Sequence, residues 1–327
     1  IYGAAYLVPR VYPHVMGQYY RFGHATGVRG LTAEAYPNFG EGPKLYVSLK
    51  LQWNPDADVD ALLDEWYVRC VGEEAAPFLK QYYAHWEDFW TRRVFDSDWY
   101  TKGGQYLSFA SVGYLRDIEP EEIQQSRQWL EKAVEIAATE PQKQRARLLL
   151  QAFEYYEASA YAFDFTSSLQ GPPTTQEEAL ALLDSAEQRF EYAVKRRTLS
   201  LEVFPNHPAL RHPLPMTRYS QLQNDAMGAA GLGSLMPFLA EEAGPVRKEL
   251  QRIADEAPVS HVKEQARMLL DLAAGKGELL TKNASFEEGA GASAESWSWW
   301  VKYGTGRMAR TDAVAHSGAY AVACEGM

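Results

Sequence analysis

The chain has 327 residues, 46% hydrophobic and 23% charged, with a formal net charge of −11. That length supports two or three domains with sizeable cores, and the negative balance argues against nucleic acid and anionic membranes, which favour a positive surface. Two cysteines exclude a disulfide framework, and no stretch reaches the roughly 18–20 apolar residues of a membrane span.

Residues 1–55 alternate short apolar runs with turns. Ile1–Val11 and Gly27–Ala35 read as buried strands, the first interrupted by Pro9. Met16–His24 reads as a short helix closed near Gly27, and Lys44–Gln52 as a second, after the glycine-rich loop Pro37–Pro43. Strand, helix, strand, helix at this spacing is the rhythm of a parallel α/β fold. Two such units cannot cover both faces of a parallel sheet. Further units are therefore expected before Ile1. The chain begins with Ile and shows no targeting segment. Its expected form is a piece of a larger protein, cut inside a domain at each end.

Asn54-Pro55-Asp56-Ala57-Asp58 reads as a helix start, with Pro in the first turn and acids at the positive end. The helix runs from Val59 to Val71 and stops at Gly72. The next, Glu73 to Arg93, carries Phe78, Tyr82, Tyr83, Trp86, Phe89 and Trp90 at spacings of three and four. Residues 94–118 read as irregular. Helices are then predicted from Pro120 to Ala138, Pro141 to Phe165, Thr175 to Arg197, Thr217 to Leu239, Pro245 to Asp255 and Val259 to Ala274. Thr175 with Glu178 has capping-box spacing. From Leu280 the composition turns to Gly, Ala, Ser and Trp, and short strands are expected, ending in Ala319–Cys324.

Glu34 is the sharpest single candidate. It lies near the C-terminal end of a predicted buried strand, where parallel α/β folds gather functional groups. A carboxylate there serves as acid, base, nucleophile or sugar-hydroxyl acceptor; the structural alternative is a pair with Arg29. Tyr36, Asn38 and Glu41 follow it in the same loop region, and His14, Tyr19 and Tyr20 lie in the preceding segment Arg10–His24. All are candidate substrate-binding residues, and core or surface roles remain open for each. No HxH or HExxH spacing occurs, so no metal is expected there. The 9 Trp and 20 Tyr suit stacking on sugar C–H faces or the filling of large cores.

Two stretches carry resemblances. Gly27–Pro55 with the helix to Gly72 resembles the C-terminal part of domain-of-unknown-function family 4838, through Glu34, Trp53-Asn54-Pro55-Asp56-Ala57-Asp58-Val59-Asp60 and Gly72. Members are large secreted proteins with an α-glucuronidase-like or hexosaminidase-like barrel, some classed as glycoside hydrolase family 163. The resemblance implies that Ile1–Trp53 forms the last two units of a (β/α)8 barrel, with Glu34 in the sugar pocket. Asn283-Ala284-Ser285-Phe286-Glu287-Glu288-Gly289, Trp297, Trp299 and His316-Ser317-Gly318 are similar to the opening of carbohydrate-binding-module jelly rolls. That likeness implies a structural calcium at the Asn-x-x-Phe-Glu turn and Trp297 and Trp299 as glycan platforms or core residues.

The expected fold class is multidomain and mainly α. It joins a barrel tail with closing helices (1–95), an all-α domain (96–278) and a truncated β-sandwich (279–327). The expected function is part of a secreted glycoside hydrolase acting on a complex glycan, without a catalytic cofactor. The alternative is a non-catalytic protein that binds glycan or docks a protein partner.

Overall fold

A helix forms at Pro13–Ala25 (α1) because Pro13 suits its first turn and its end is stopped by Gly27. The Gly27 and Val28 N–H groups donate to the His24 and Gly23 carbonyls, with Gly27 at φ +90°. That is the Schellman pattern, which satisfies the last carbonyls of the helix. The computed structural model describes residues 7–31, 38–101, 113–163, 173–211, 232–257, 260–276, 282–298, 306–315 and 318–325.

The following helices are Lys44–Trp53 (α2), Val59–Val71 (α3), Ala76–Thr91 (α4) and the short Asp98–Thr101 (α5). Then come Pro120–Ile136 (α6), Glu140–Ala162 (α7), Gln176–Thr198 (α8), Pro245–Glu256 (α9) and Ser260–Ala273 (α10). Their ends follow local chemistry. Asp58 Oδ1 accepts the Asp60 and Ala61 N–H groups at the start of α3. Capping boxes open α6, α7 and α8 through Glu119/Glu122, Thr139/Gln142 and Thr175/Glu178. The Arg145 guanidinium on α7 donates to the Cys70 and Arg69 carbonyls, at 2.7 and 3.2 Å, and so closes α3 from outside.

Contacts divide the chain into two units, residues 1–270 and 271–327. In the first, one apolar core runs from Leu7 to Leu210 and continues across position 95. The aromatic stripe of α4 lies at its centre, with Tyr82, Tyr83, Trp86, Phe89 and Trp90 all buried. Tyr82 meets Phe153 of α7 edge-on at 5.9 Å, and Trp90 meets Tyr114 at 5.1 Å. Gly17 lets α1 approach α3, since a Cβ there would stand 2.7 Å from a Val59 methyl carbon. Charged staples cross the helices at the core's edge. Arg127 of α6 and Lys195 of α8 both pair with Glu157 of α7. Arg93 and His85 pair with Glu122 of α6. Burial alone would raise the Glu122 carboxyl, but hydrogen bonds from His85, Arg93 and the Glu119 backbone hold it down to about 2.

Several expectations change. Leu7, Val8 and Val11 are buried but form no strand. The Leu7 N–H donates to Tyr114 Oη at 2.8 Å, and the Pro9 carbonyl accepts from Trp90 Nε1 at 2.8 Å. Side chains thus satisfy backbone groups that a ladder would otherwise use. Gly27–Leu31 is likewise not a strand, and Val28 and Leu31 are exposed. The rest of both predicted strands, residues 1–6 and 32–35, lies outside the described residues. Leu232–Leu239 is a 3-10 helix with Pro237 inside it, where the missing N–H breaks an α pattern.

In the second unit, Gly289–Ala290 (β1) pairs antiparallel with Ser293–Ala294 (β2), and Arg307–Thr311 (β3) with Ala321–Glu325 (β4). The register sets Met308 against Cys324 and Arg310 against Val322. The described residues hold two two-stranded sheets and no closed barrel.

Candidate functional site

The loop after the predicted strand is pinned on both sides. Asn38 Oδ1 accepts the Gly40 N–H and its Nδ2 donates to Tyr156 Oη on α7, both at 3.0 Å. Tyr83 of α4 donates to the Gly40 carbonyl at 3.3 Å. Gly42 sits at φ +51°, and a methyl there would overlap the Tyr83 ring. Gly42→Ala is therefore expected to cost about 2–3 kcal/mol, from left-handed backbone strain and overpacking. Urea unfolding would measure it, and an unchanged midpoint would count against this packing.

Glu41 and Lys44 form an ion pair at the start of α2, with side chains only 4% and 3% exposed. Burial pushes the Glu41 carboxyl up and the Lys44 ammonium down, and each partner's charge opposes the other's shift. Glu41 Oε1 has no hydrogen-bond partner among the described residues. The Tyr12 ring lies between Arg10 and Lys44, with ring-centre distances of 5.4 and 5.5 Å. Burial also raises the Tyr12 phenol, with Arg10 opposing. One turn along α2, Ser48 Oγ and Tyr20 Oη hydrogen-bond at 2.8 Å, and Gln52 Nε2 donates to both oxygens.

The structure thus places Glu41 and Tyr20 against α2, through Lys44 and Ser48, and Asn38 against Tyr156 of α7. Each is already bonded within the protein. His14 is separate, held by Glu87 and Asp60. Tyr19 projects into solvent with 72% of its surface exposed. Glu34, Tyr36 and Trp299 lie outside the described residues. The sequence motifs did not single out Lys44 or Phe22, and they placed Trp53 only within the family pattern. Lys44 was findable from its three-residue spacing to Glu41 at a helix start. Phe22 is 69% and Trp53 92% exposed, and nothing in their local pattern distinguishes them from packed rings.

The second unit gathers the residues of the jelly-roll likeness. Asn283 Nδ2 donates to the Glu288 and Glu295 carbonyls, and its Oδ1 accepts the Glu288 N–H. Trp297 Nε1 donates to the Asn283 carbonyl, and its ring packs on Phe286 at 5.0 Å. Glu287 Oε1 accepts the Ala319 and Tyr320 N–H groups, in a space that Gly318 leaves open. Arg310 donates to the Phe286 and Glu287 carbonyls, at 2.7 and 2.6 Å. A guanidinium therefore takes up two carbonyls of the Asn-x-x-Phe-Glu turn. Among the described residues no three His, Cys, Asp or Glu cluster as metal ligands.

The described fold is mainly helical, with a pinned loop at its front and a small β unit at its end. Residues 1–84 match the model of a family described as Domain of unknown function (DUF4838), which covers 84 of the 327 residues. Neither the curated proteins nor the solved structures contain a match to the chain. No described helix is long and apolar enough to cross a membrane.

Proposed function

We propose that this chain belongs to a secreted glycoside hydrolase and contributes part of its sugar pocket, with Glu34 as the carboxylate and Tyr36 as a substrate-binding residue. The observation that carries this reading is the fixed position of the next segment. Asn38 is the fourth residue after Glu34, and loop 38–43 is anchored by Tyr156, Tyr83 and the buried Glu41–Lys44 pair. A catalytic carboxylate needs such a rigid support, because loose geometry sacrifices its effect. The family match over residues 1–84 supports the assignment of this segment to one conserved type. The glycosidase chemistry itself comes from the resemblance of Gly27–Gly72. In this reading Asn38, Glu41 and Tyr20 support the site, while Tyr19 offers a free ring to the glycan.

Glu34→Gln in the full-length protein tests the reading on complex-glycan substrates. Turnover is expected to fall by about 10²–10⁴-fold for loss of a general acid or base. Unchanged turnover with unchanged sugar affinity would remove Glu34 from the site.

The non-catalytic reading has its own support. Tyr19, Phe22, Leu49 and Trp53 leave apolar surface exposed on the adjacent helices α1 and α2. A glycan-binding or protein-docking protein would lose affinity on Tyr19→Ala or Trp53→Ala while Glu34→Gln changed nothing.

A further inference from the structure

His14 stands in the first turn of α1 between two carboxylates from different helices. Its backbone N–H donates to Glu87 Oε1 of α4 at 2.9 Å, and its ring Nδ1 lies 2.8 Å from Glu87 Oε2. Its Nε2 lies 3.4 Å from Asp60 Oδ1 of α3. A neutral imidazole carries one N–H and one lone pair. Here both ring nitrogens face carboxylate oxygens, so a neutral ring would aim a lone pair at one of them. Only the imidazolium donates to both.

We propose that His14 is a proton-operated clasp, whose charged ring joins α1 to α3 and α4 and whose neutral ring releases the α3 side. The surrounding charges favour this arrangement. α3 presents Asp60 and Asp64, and α4 presents Glu87, with Lys80 already bound to Asp64 at 2.8 Å. From α2, the groups bonded to α1 are Ser48 and Gln52, which carry no charge. On the His14 side of the chain, Arg10 lies over the Tyr12 and Trp90 rings, and Arg21 lies over Gly17. The hydrogen bond to Glu87 is the first cause that holds the His14 ring above its ordinary value; burial opposes it and Asp60 adds to it. The sign follows from linkage. The clasp is complete below about pH 6.5, the ordinary histidine value, and is lost as pH rises through the higher folded-state value. The His14 link to α3 from helix α1, which carries Tyr19 and Phe22 outward, is then made in proportion to the protonation of that residue.

The test is amide hydrogen exchange of residues 15–20 from pH 5.5 to 8.5, corrected for intrinsic rates, with an NMR titration of His14. Protection is expected to fall about two- to five-fold, the worth of a partly exposed ion pair, in step with the His14 midpoint. His14→Gln is expected to show low protection without that step. Asp60→Asn, which spares the Glu87 contact, is expected to shift the His14 midpoint down. A flat protection profile while His14 titrates, or the same step in His14→Gln, would overturn the proposal. A His14 midpoint at or below 6.5 would overturn it too.

Discussion

Lys44→Met is expected to destabilise the helical unit by about 3–5 kcal/mol at neutral pH, because it leaves Glu41 buried without its cation. The companion variant Glu41→Leu/Lys44→Met is expected to recover most of that loss. Replacing a whole buried pair with apolar groups of similar volume is often close to neutral, whereas breaking one leaves an uncompensated charge. The cost of Lys44→Met should also depend on pH. Burial already raises the Glu41 carboxyl with Lys44 present, and removing Lys44 raises it further. A raised carboxyl binds its proton more tightly in the folded state. The penalty is therefore small below about pH 4.3, the ordinary glutamate value, and grows until pH passes the folded-state value. Urea titrations of the wild type, both single variants and the double variant at pH 4 and pH 7 would measure the coupling. A single-variant loss under about 1 kcal/mol at pH 7 would mean that the pair is solvated, as exposed pairs are.

Trp86→Ala is the second large effect, at about 3–5 kcal/mol. Trp86 is fully buried on α4, with Phe89 edge-on at 6.0 Å and His85 at 5.0 Å. Truncation removes a large apolar surface and leaves a cavity that packed helices cannot close. Its indole N–H has no hydrogen-bond partner among the described residues. Trp86→Phe therefore loses packing but also removes a buried, unsatisfied donor, and a cost of about 1–2 kcal/mol is expected. Trp90→Phe is the control, because the Trp90 N–H donates to the Pro9 carbonyl. It should cost more than Trp86→Phe and should loosen residues 7–11. Thermal unfolding of the three variants would rank them, and an equal cost for the two Phe variants would contradict the assigned hydrogen bonding.

Both predictions act on the support of the candidate site rather than on its chemistry. Lys44 and Glu41 fix the loop that follows Glu34 in sequence, and Trp86 sits on the helix that supplies Tyr83 to that loop. A loss of glycan turnover in either variant would therefore need a stability control before it is assigned to the site. The clasp at His14 shares no partner with the Lys44–Glu41 pair, whereas its partner Glu87 follows Trp86 directly on α4.

Much of the helical part was legible because its determinants are local. Helix α3 runs Val59–Val71 as its periodicity predicts, with Asp58 at its start and Gly72 at its end. The stripe on α4 was readable from spacing alone, and Thr175 announced α8. The front of the chain was less legible. Leu7, Val8 and Val11 have strand-like composition and are buried, but Tyr114 and Trp90 take up the backbone groups a strand would pair. The same holds for the candidate residues. Asn38 and Glu41 are candidate pocket residues in a glycine-rich loop, and the fold adds that Asn38 bonds Tyr156 and that Glu41 is buried against Lys44.

The sequence by itself determined the bounds of α3 and the starts of α6 and α8, which helix faces carry apolar residues, and that the composition changes near Leu280. Those properties depend on neighbours within one or two turns. Only the tertiary structure decided which polar groups are already spent. Asn38 meets Tyr156 across 118 positions, Leu7 meets Tyr114 across 107, and His14 meets Glu87 across 73. No local pattern encodes such partners. Burial made Glu41 half of a desolvated ion pair with its neighbour Lys44, and left Tyr19, Phe22 and Trp53 among the exposed rings of the described residues.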